Sequence, residues 1–214
     1  MKILITGVHG FVGTNLVEFL ADENEIYGLD IISPFKKGVI KTFSWKDLDE
    51  DNIPNVDAVI HLAGKAHDTK NKSKSDVYFQ INTELTKKIF DYVQKKHIEK
   101  FIFFSSVKAA ADKVTGDKLF EDVVPNPIGP YGESKIAAEK YIQSKWNIDS
   151  DDEFVYILRP CMIHGPGNKG NLNLLYNVVS KGIPWPLGAF ENLRSFTSID
   201  NLSYMINTTL YFFT

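Results

Sequence analysis

The chain has 214 residues, 43% of them hydrophobic and 24% charged, with a formal net charge of −3 at pH 7. A chain of this length removes roughly 70% of its unfolded surface from water and needs no disulfide or metal to fold, and the composition excludes a disordered or fibrous chain. The negative balance argues against a nucleic-acid partner held by phosphate neutralisation. A single cysteine, Cys161, excludes an internal disulfide and any multi-cysteine metal site. No apolar run reaches the ~18 residues of a membrane span, and the amino terminus lacks a signal-peptide pattern, so the expected setting is reducing and cytoplasmic.

Short apolar runs alternate with longer helix-patterned stretches. Lys2–Thr6, Glu25–Asp30, Asp57–Ala63, Lys100–Ser105 and Phe154–Arg159 are rich in Val, Ile and Phe and apolar on both faces. Strands covered on both sides of a parallel sheet read this way. Between them, Phe11–Ala21, Ser75–Lys96 and Tyr131–Trp146 carry helical periodicity. In the last, Ile136, Ala137, Tyr141, Ile142 and Lys145 share a face, leaving Glu133, Glu139, Lys140 and Gln143 on the exposed one. The alternation predicts right-handed βαβ units and an α/β fold with a doubly wound parallel sheet over residues 1–160. The stretch Lys65–Lys74 reads as a solvated loop and helix start.

After Arg159 the texture changes. Pro160, Gly165-Pro166-Gly167, Gly170, Gly182, Pro184, Pro186 and Gly188 punctuate the chain, and regular strands are expected to stop. Residues 161–214 therefore predict a partial, smaller substrate-binding region over the carboxyl edge of the sheet, where ligands of such sheets sit. A helix over Asp200–Phe213 closes it.

Two constellations carry chemistry. Gly7-Val8-His9-Gly10-Phe11-Val12-Gly13 follows the first strand and opens the first helix. Glycines there allow a tight turn, close approach to a pyrophosphate and close helix packing, and the helix start offers free N–H groups to phosphates. Three spaced glycines alone are a weak signal, but Asp30 falls 20 residues after Gly10 at the end of the second strand. A carboxylate there accepts hydrogen bonds from ribose hydroxyls and repels a 2′-phosphate, so a Rossmann fold that binds NAD rather than NADP is predicted.

The second constellation is Tyr131-Gly132-Glu133-Ser134-Lys135, which places Tyr131 and Lys135 on one helix face. Tyrosine is a poor base at its ordinary pKa near ~10; a neighbouring ammonium and a cationic nicotinamide favour the phenolate. Ser105-Ser106 end the strand that begins at Lys100, 25 residues before Tyr131, and a hydroxyl there can bind the same substrate oxygen.

These residues resemble the extended short-chain dehydrogenase/reductases, the NAD-dependent epimerase/dehydratase family that acts on nucleotide sugars, across essentially the whole chain. The resemblance runs through Gly7-x-x-Gly10-x-x-Gly13, Asp57-Ala-Val-Ile-His61-Leu-Ala-Gly64, Asn82-Thr83, Ser105-Ser106, Tyr131-x-x-x-Lys135, Leu158-Arg159-Pro160, Gly165-Pro166-Gly167 and Arg194 to Leu202. It implies that Ser106, Tyr131 and Lys135 are catalytic, with Lys135 also reaching the nicotinamide ribose. Gly7, Gly10, Phe11, Val12, Gly13 and Asp30 would hold the cofactor, NAD; Asp47 and Leu48 would lie against adenine; Ala63 and Gly64 would line the nicotinamide crevice. Asn82 would support the catalytic helix. Asn171, Leu172 and Arg194 would contact the nucleoside diphosphate of a UDP-linked sugar, with Ser106 on the sugar. A homodimer through Ser75–Lys96 and Tyr131–Trp146 is also implied.

Within the family, a 4,6-dehydratase uses an Asp-Glu pair after the active-site hydroxyl, where this chain has Val107-Lys108. The expectation is a UDP-hexose or UDP-N-acetylhexosamine 4-epimerase of surface-polysaccharide synthesis. The alternatives are an NAD(P)H-dependent 4-keto-6-deoxy sugar reductase and a non-catalytic NAD sensor. Met162 replaces the asparagine that many members carry, and members usually continue for roughly a hundred residues more. A chain cut short would leave Tyr204, Met205, Ile206, Leu210, Tyr211, Phe212 and Phe213 without their usual partners. His61 and His164 read as packing residues, and His67 as a residue at the border of the crevice.

Overall fold

The computed structural model describes residues 1–65, 74–114, 116–146, 153–168, 171–182 and 193–212. Its frame is set by β1 (Lys2–Thr6), followed by α1 (Phe11–Leu20), β2 (Glu25–Leu29), β3 (Lys41–Phe43), α2 (Trp45–Asp49) and β4 (Ala58–His61). A continuous helical rod comes next: α3 (Ser75–Tyr78), a π-helical segment (Phe79–Glu84) and α4 (Leu85–Lys96). Then come β5 (Lys100–Phe104), α5 (Val107–Ala110), α6 (Pro130–Lys145), β6 (Phe154–Leu158), β7 (Met162–His164), α7 (Asn171–Ser180), β8 (Phe196–Ser198) and α8 (Ile199–Phe212).

Six strands form one sheet in the order β3-β2-β1-β4-β5-β6, every neighbouring pair parallel. The order reverses between β1 and β4, which makes their carboxyl ends the crevice of a doubly wound fold. Because strand side chains alternate, each strand feeds two cores. Leu4, Val59, Phe101 and Phe103 pack with Phe90, Val93 and Ile142 on the α4–α6 side. Ile3, Ile5, Ile60 and Ile102 pack with Leu16, Leu20, Ile206 and Leu210 on the α1–α8 side.

Four features depart from the sequence reading. The three-residue β3 is too short to announce itself by periodicity, yet Tyr27, Gly28 and Leu29 pair with it. Strands do not stop after Arg159, because β7 and β8 form a small parallel sheet of their own. Each is three residues long and half-buried to exposed, so neither shows an apolar run. Ile206 and Leu210 are not left without partners, being buried against α1. Tyr204, Met205 and Tyr211 of the same helix are exposed, while Phe213 and the side chain of Phe212 lie outside the described residues. Finally, Glu139 is fully buried rather than on the exposed face of α6.

Candidate active site

The glycine-rich loop leaves β1 at the switch point. Gly7 adopts φ +69°, a left-handed conformation that suits only glycine well, and a Cβ there would lie 2.9 Å from the Ala63 nitrogen. The loop thus lies directly against the segment leaving β4. A Cβ on Gly13 would sit 2.6 Å from the Gly7 carbonyl oxygen, so α1 is seated hard on the turn. Gly10 caps α1 and no side chain caps that helix, which leaves the first-turn amides of Phe11 and Val12 for an anionic ligand.

Asp30 is fixed at the end of β2. Its carboxylate accepts the His9 N–H at 3.1 Å and the Ile31 N–H at 2.7 Å. Lys36 folds back to donate to Thr14 Oγ1 at 2.8 Å; partial burial lowers its pKa, against raising influences from Glu18 and, more weakly, Asp30. No spacing signal marked this cation. The Asp47 carboxylate closes a capping box on Ser44 at the start of α2, and Leu48 is buried in the core, so each has a structural task at the position expected to border adenine.

Across the crevice, Ser106, Tyr131 and Lys135 converge. Ser106 caps the short α5, its Oγ accepting the Lys108 N–H at 3.2 Å. Tyr131 and Lys135 lie on α6, which starts with Pro130 at its first position. The Tyr131 hydroxyl is hydrogen-bonded to Ser106. Burial holds the phenol above its ordinary pKa, with the Ser106 bond opposing that rise. Desolvation penalises the phenolate more than the Ser106 hydroxyl dipole relieves it, and the opposing influence is that hydroxyl rather than the expected Lys135 charge. Lys135 donates to the Phe104 carbonyl at 2.8 Å, and burial lowers its pKa to about 8 against a raising influence from Glu139. A methyl group on Gly64 would lie 3.2 Å from Lys135 Nζ, so the ammonium borders the loop after β4.

Behind these groups runs a buried relay of hydrogen bonds. The Ala63 N–H donates to Thr6 Oγ1 at 3.0 Å, and Thr6 Oγ1 lies 2.7 Å from His61 Nδ1. His61 Nε2 lies 3.0 Å from Thr86 Oγ1, which itself donates to the Asn82 carbonyl at 2.7 Å. This order assigns the proton of a neutral imidazole to Nε2. Burial and the Lys135 charge lower the pKa of His61 to about 3, in keeping with a packing residue. Asn82 sits in the π-helical segment, accepting the Lys65 N–H at 2.7 Å and donating to Ser134 Oγ at 3.0 Å. It ties the loop after β4 to α6. The asparagine was legible as a motif, whereas the π-turn that aims it left no trace in the sequence.

The Gly165-Pro166-Gly167 turn comes over the start of α1, where Asn15 donates to both the Phe11 and Pro166 carbonyls. Leu172 lies half-buried in the first turn of α7, Arg194 is exposed just before β8, and His164 meets Phe196 edge to face. His67 and the side chain of Asn171 lie outside the described residues. Among the described residues, no group of three or more His, Cys, Asp or Glu side chains could hold a metal ion, and no helix is long and apolar enough to cross a membrane.

The model of the NAD dependent epimerase/dehydratase family matches residues 3–205. The chain is 34% identical over 222 residues to a UDP-glucose 4-epimerase of Vibrio cholerae, covering 98% of this chain and 66% of that one. It is 27% identical over 213 residues to the N-acetyl-alpha-D-glucosaminyl-diphospho-ditrans,octacis-undecaprenol 4-epimerase of Escherichia coli O157:H7, covering 98% and 63%. The chain thus spans slightly less than two thirds of the length of these curated relatives. Among solved structures, MoeE5 in complex with UDP-glucuronic acid and NAD superposes with a TM-score of 0.81 at 25% identity, over 99% of this chain and 72% of that one.

Proposed function

Because the chain belongs to the NAD dependent epimerase/dehydratase family, we propose that it is an NAD-dependent nucleotide-sugar 4-epimerase, acting on a UDP-hexose or UDP-N-acetylhexosamine for surface-polysaccharide synthesis in the cytoplasm. The observation that carries this reading is the meeting of Ser106, Tyr131 and Lys135 at the mouth of a crevice whose other wall is the Gly7–Gly13 loop. The features that support a dinucleotide there are the close approach of Gly7 to Ala63, an α1 start uncapped by any side chain, and an Asp30 carboxylate fixed by the His9 N–H. Gly7, Gly10, Phe11, Val12 and Gly13 would hold the pyrophosphate, and Asp30 the adenine ribose. Asp47 and Leu48 would border adenine, with Ala63, Gly64 and Lys135 on the nicotinamide side. Bound NAD would take the hydride from C4 of the sugar and return it to the opposite face.

The chain's own residues move the proton. Tyr131 accepts it from the C4 hydroxyl during oxidation and returns it after the 4-keto sugar has turned over. Ser106 donates a hydrogen bond to the same oxygen, steadying the charge that develops there. The charged Lys135 and a cationic nicotinamide supply the favourable field that brings the desolvated phenol within reach of neutral pH. Residues 1–160 would serve as the cofactor-binding part and 161–214 as a partial substrate-binding part, with Asn171, Leu172 and Arg194 as the expected contacts of the nucleoside diphosphate. The protein would work as a homodimer through Ser75–Lys96 and Tyr131–Trp146, with no nucleic-acid or membrane partner.

Incubation with UDP-N-acetylglucosamine and UDP-glucose plus NAD, followed by proton NMR at C4, tests the proposal. The expected result is a 4-epimer whose formation falls about 10²–10⁴-fold in Tyr131→Phe, the range for loss of a general base, while NAD still binds. Consumption of an added 4-keto sugar with no epimerisation would favour a reductase instead. NAD binding with neither reaction would favour a sensor, a role for which an intact Ser106, Tyr131 and Lys135 set is not needed.

A further inference from the structure

Glu139 is a fully buried carboxylate on the helix that carries Tyr131 and Lys135. One of its oxygens receives the Ser105 hydroxyl. Arg159 grips it with two of its guanidinium nitrogens, Nη2 at 2.6 Å from Oε2 and Nε at 3.1 and 3.2 Å from the two oxygens. Ser105 and Arg159 immediately follow β5 and β6, and the Ser105 N–H donates to the Leu158 carbonyl at 2.8 Å. Three elements that bear or adjoin the catalytic groups are therefore joined at one carboxylate. Ser105 is the neighbour of Ser106, and Lys135 stands one helical turn before Glu139, on the same buried face.

We propose that Glu139 is a positioning residue of this site, fixing α6 against the ends of β5 and β6 and keeping the Lys135 ammonium charged beside Tyr131. A purely structural ion pair would need only Arg159 and Glu139. Here the carboxylate also answers Lys135, whose charge burial disfavours and Glu139 favours. Among the described residues, the other titratable groups set around Lys135 are His61 from β4, neutral because its pKa is lowered to about 3, and Tyr131 from α6, a phenol held above its ordinary pKa. Neither supplies negative charge in the resting site. Arg159, from the end of β6, is a cation. Without the carboxylate, two cations would share a low-dielectric interior, and the one able to lose its proton is Lys135.

The role in turnover rests on the epimerase reading, but the electrostatic part does not, so the test needs no substrate. The Lys135 side chain is titrated by nitrogen-detected NMR in the cofactor-free protein, in unsubstituted form and as Glu139→Gln and Glu139→Asp. The expected midpoint of Glu139→Gln lies about one pH unit below that of the unsubstituted chain, in line with loss of one close opposite charge, whereas Glu139→Asp stays near it. Should Glu139→Gln fail to fold around an unpaired Arg159, the Glu139→Gln/Arg159→Met pair removes both charges and is expected to lower the midpoint by less than Glu139→Gln alone, because a neighbouring cation leaves with the carboxylate. A folded charge-free variant with an unchanged midpoint overturns the proposal. If neither charge-free variant folds, the carboxyl carbon signal of Glu139 in the unsubstituted chain decides. A step at the Lys135 midpoint supports the coupling, and its absence overturns it. With an epimerisation assay in hand, the alkaline limb of kcat/KM is expected to move down with the same midpoint.

Discussion

At the residue scale, His61 shows how a polar group at the centre of the site is made inert. It is neutral between two threonine hydroxyls, with its pKa lowered from 6.5 to about 3. The linkage sign follows directly. Between these values the unfolded chain takes up a proton that the folded chain refuses, so stability rises with pH in this window and is lost as pH falls. Each unit costs up to about 1.4 kcal/mol. A thermal-denaturation series from pH 7 to pH 4 should therefore show a steep acid loss that is shallower in His61→Gln, which cannot titrate. Equal slopes in the two proteins would refute the neutral assignment. Tyr131 and Lys135 obey the opposite logic, being desolvated at the cleft so that neighbouring charges can set their protonation.

Elements differ in how plainly their sequences announce them. The strands β1, β4 and β5 are apolar on both faces because helices cover both, and they were legible to within two residues at each end. The pairing of Tyr131 with Lys135 and the glycine loop were legible as well, since each depends on local spacing. The short β3, β7 and β8 were not, because three residues carry no period and their pairing is set by chain segments elsewhere. Nor was the burial of Glu139. Its polarity marks it for solvent, and the arrival of the Ser105 hydroxyl and of Arg159, from 20 residues along the chain, makes the interior tolerable. Helix α8 offers a direct measure of such long-range packing. Ile206 lies wholly within the core shared with α1, while Tyr204 is 68% exposed. Ile206→Ala should cost about 2–5 kcal/mol in urea denaturation, and Tyr204→Ala should change stability by no more than about 0.5 kcal/mol. Equal effects would mean that α8 does not belong to the core.

For the molecule as a whole, one parallel sheet brings the turn after β1, the segment after β4 and the end of β5 to a single edge. The first supplies amides and a helix start, the second a narrow backbone wall, and the third a hydroxyl facing the tyrosine of α6. Groups drawn from residues 7 to 135 thus surround one crevice, with the turn of Gly165 to Gly167 laid beside it. On the proposed epimerase reading, the hydrogen that leaves the sugar carbon is the one that returns to it, so long as the reduced cofactor stays bound. The most direct measurement is epimerisation of a UDP-sugar carrying deuterium at C4, in the presence of NAD. The account predicts an epimer that keeps its deuterium at C4, with none exchanged for solvent hydrogen. Loss of the label to water, or the absence of any epimer in a protein that binds NAD, would contradict it.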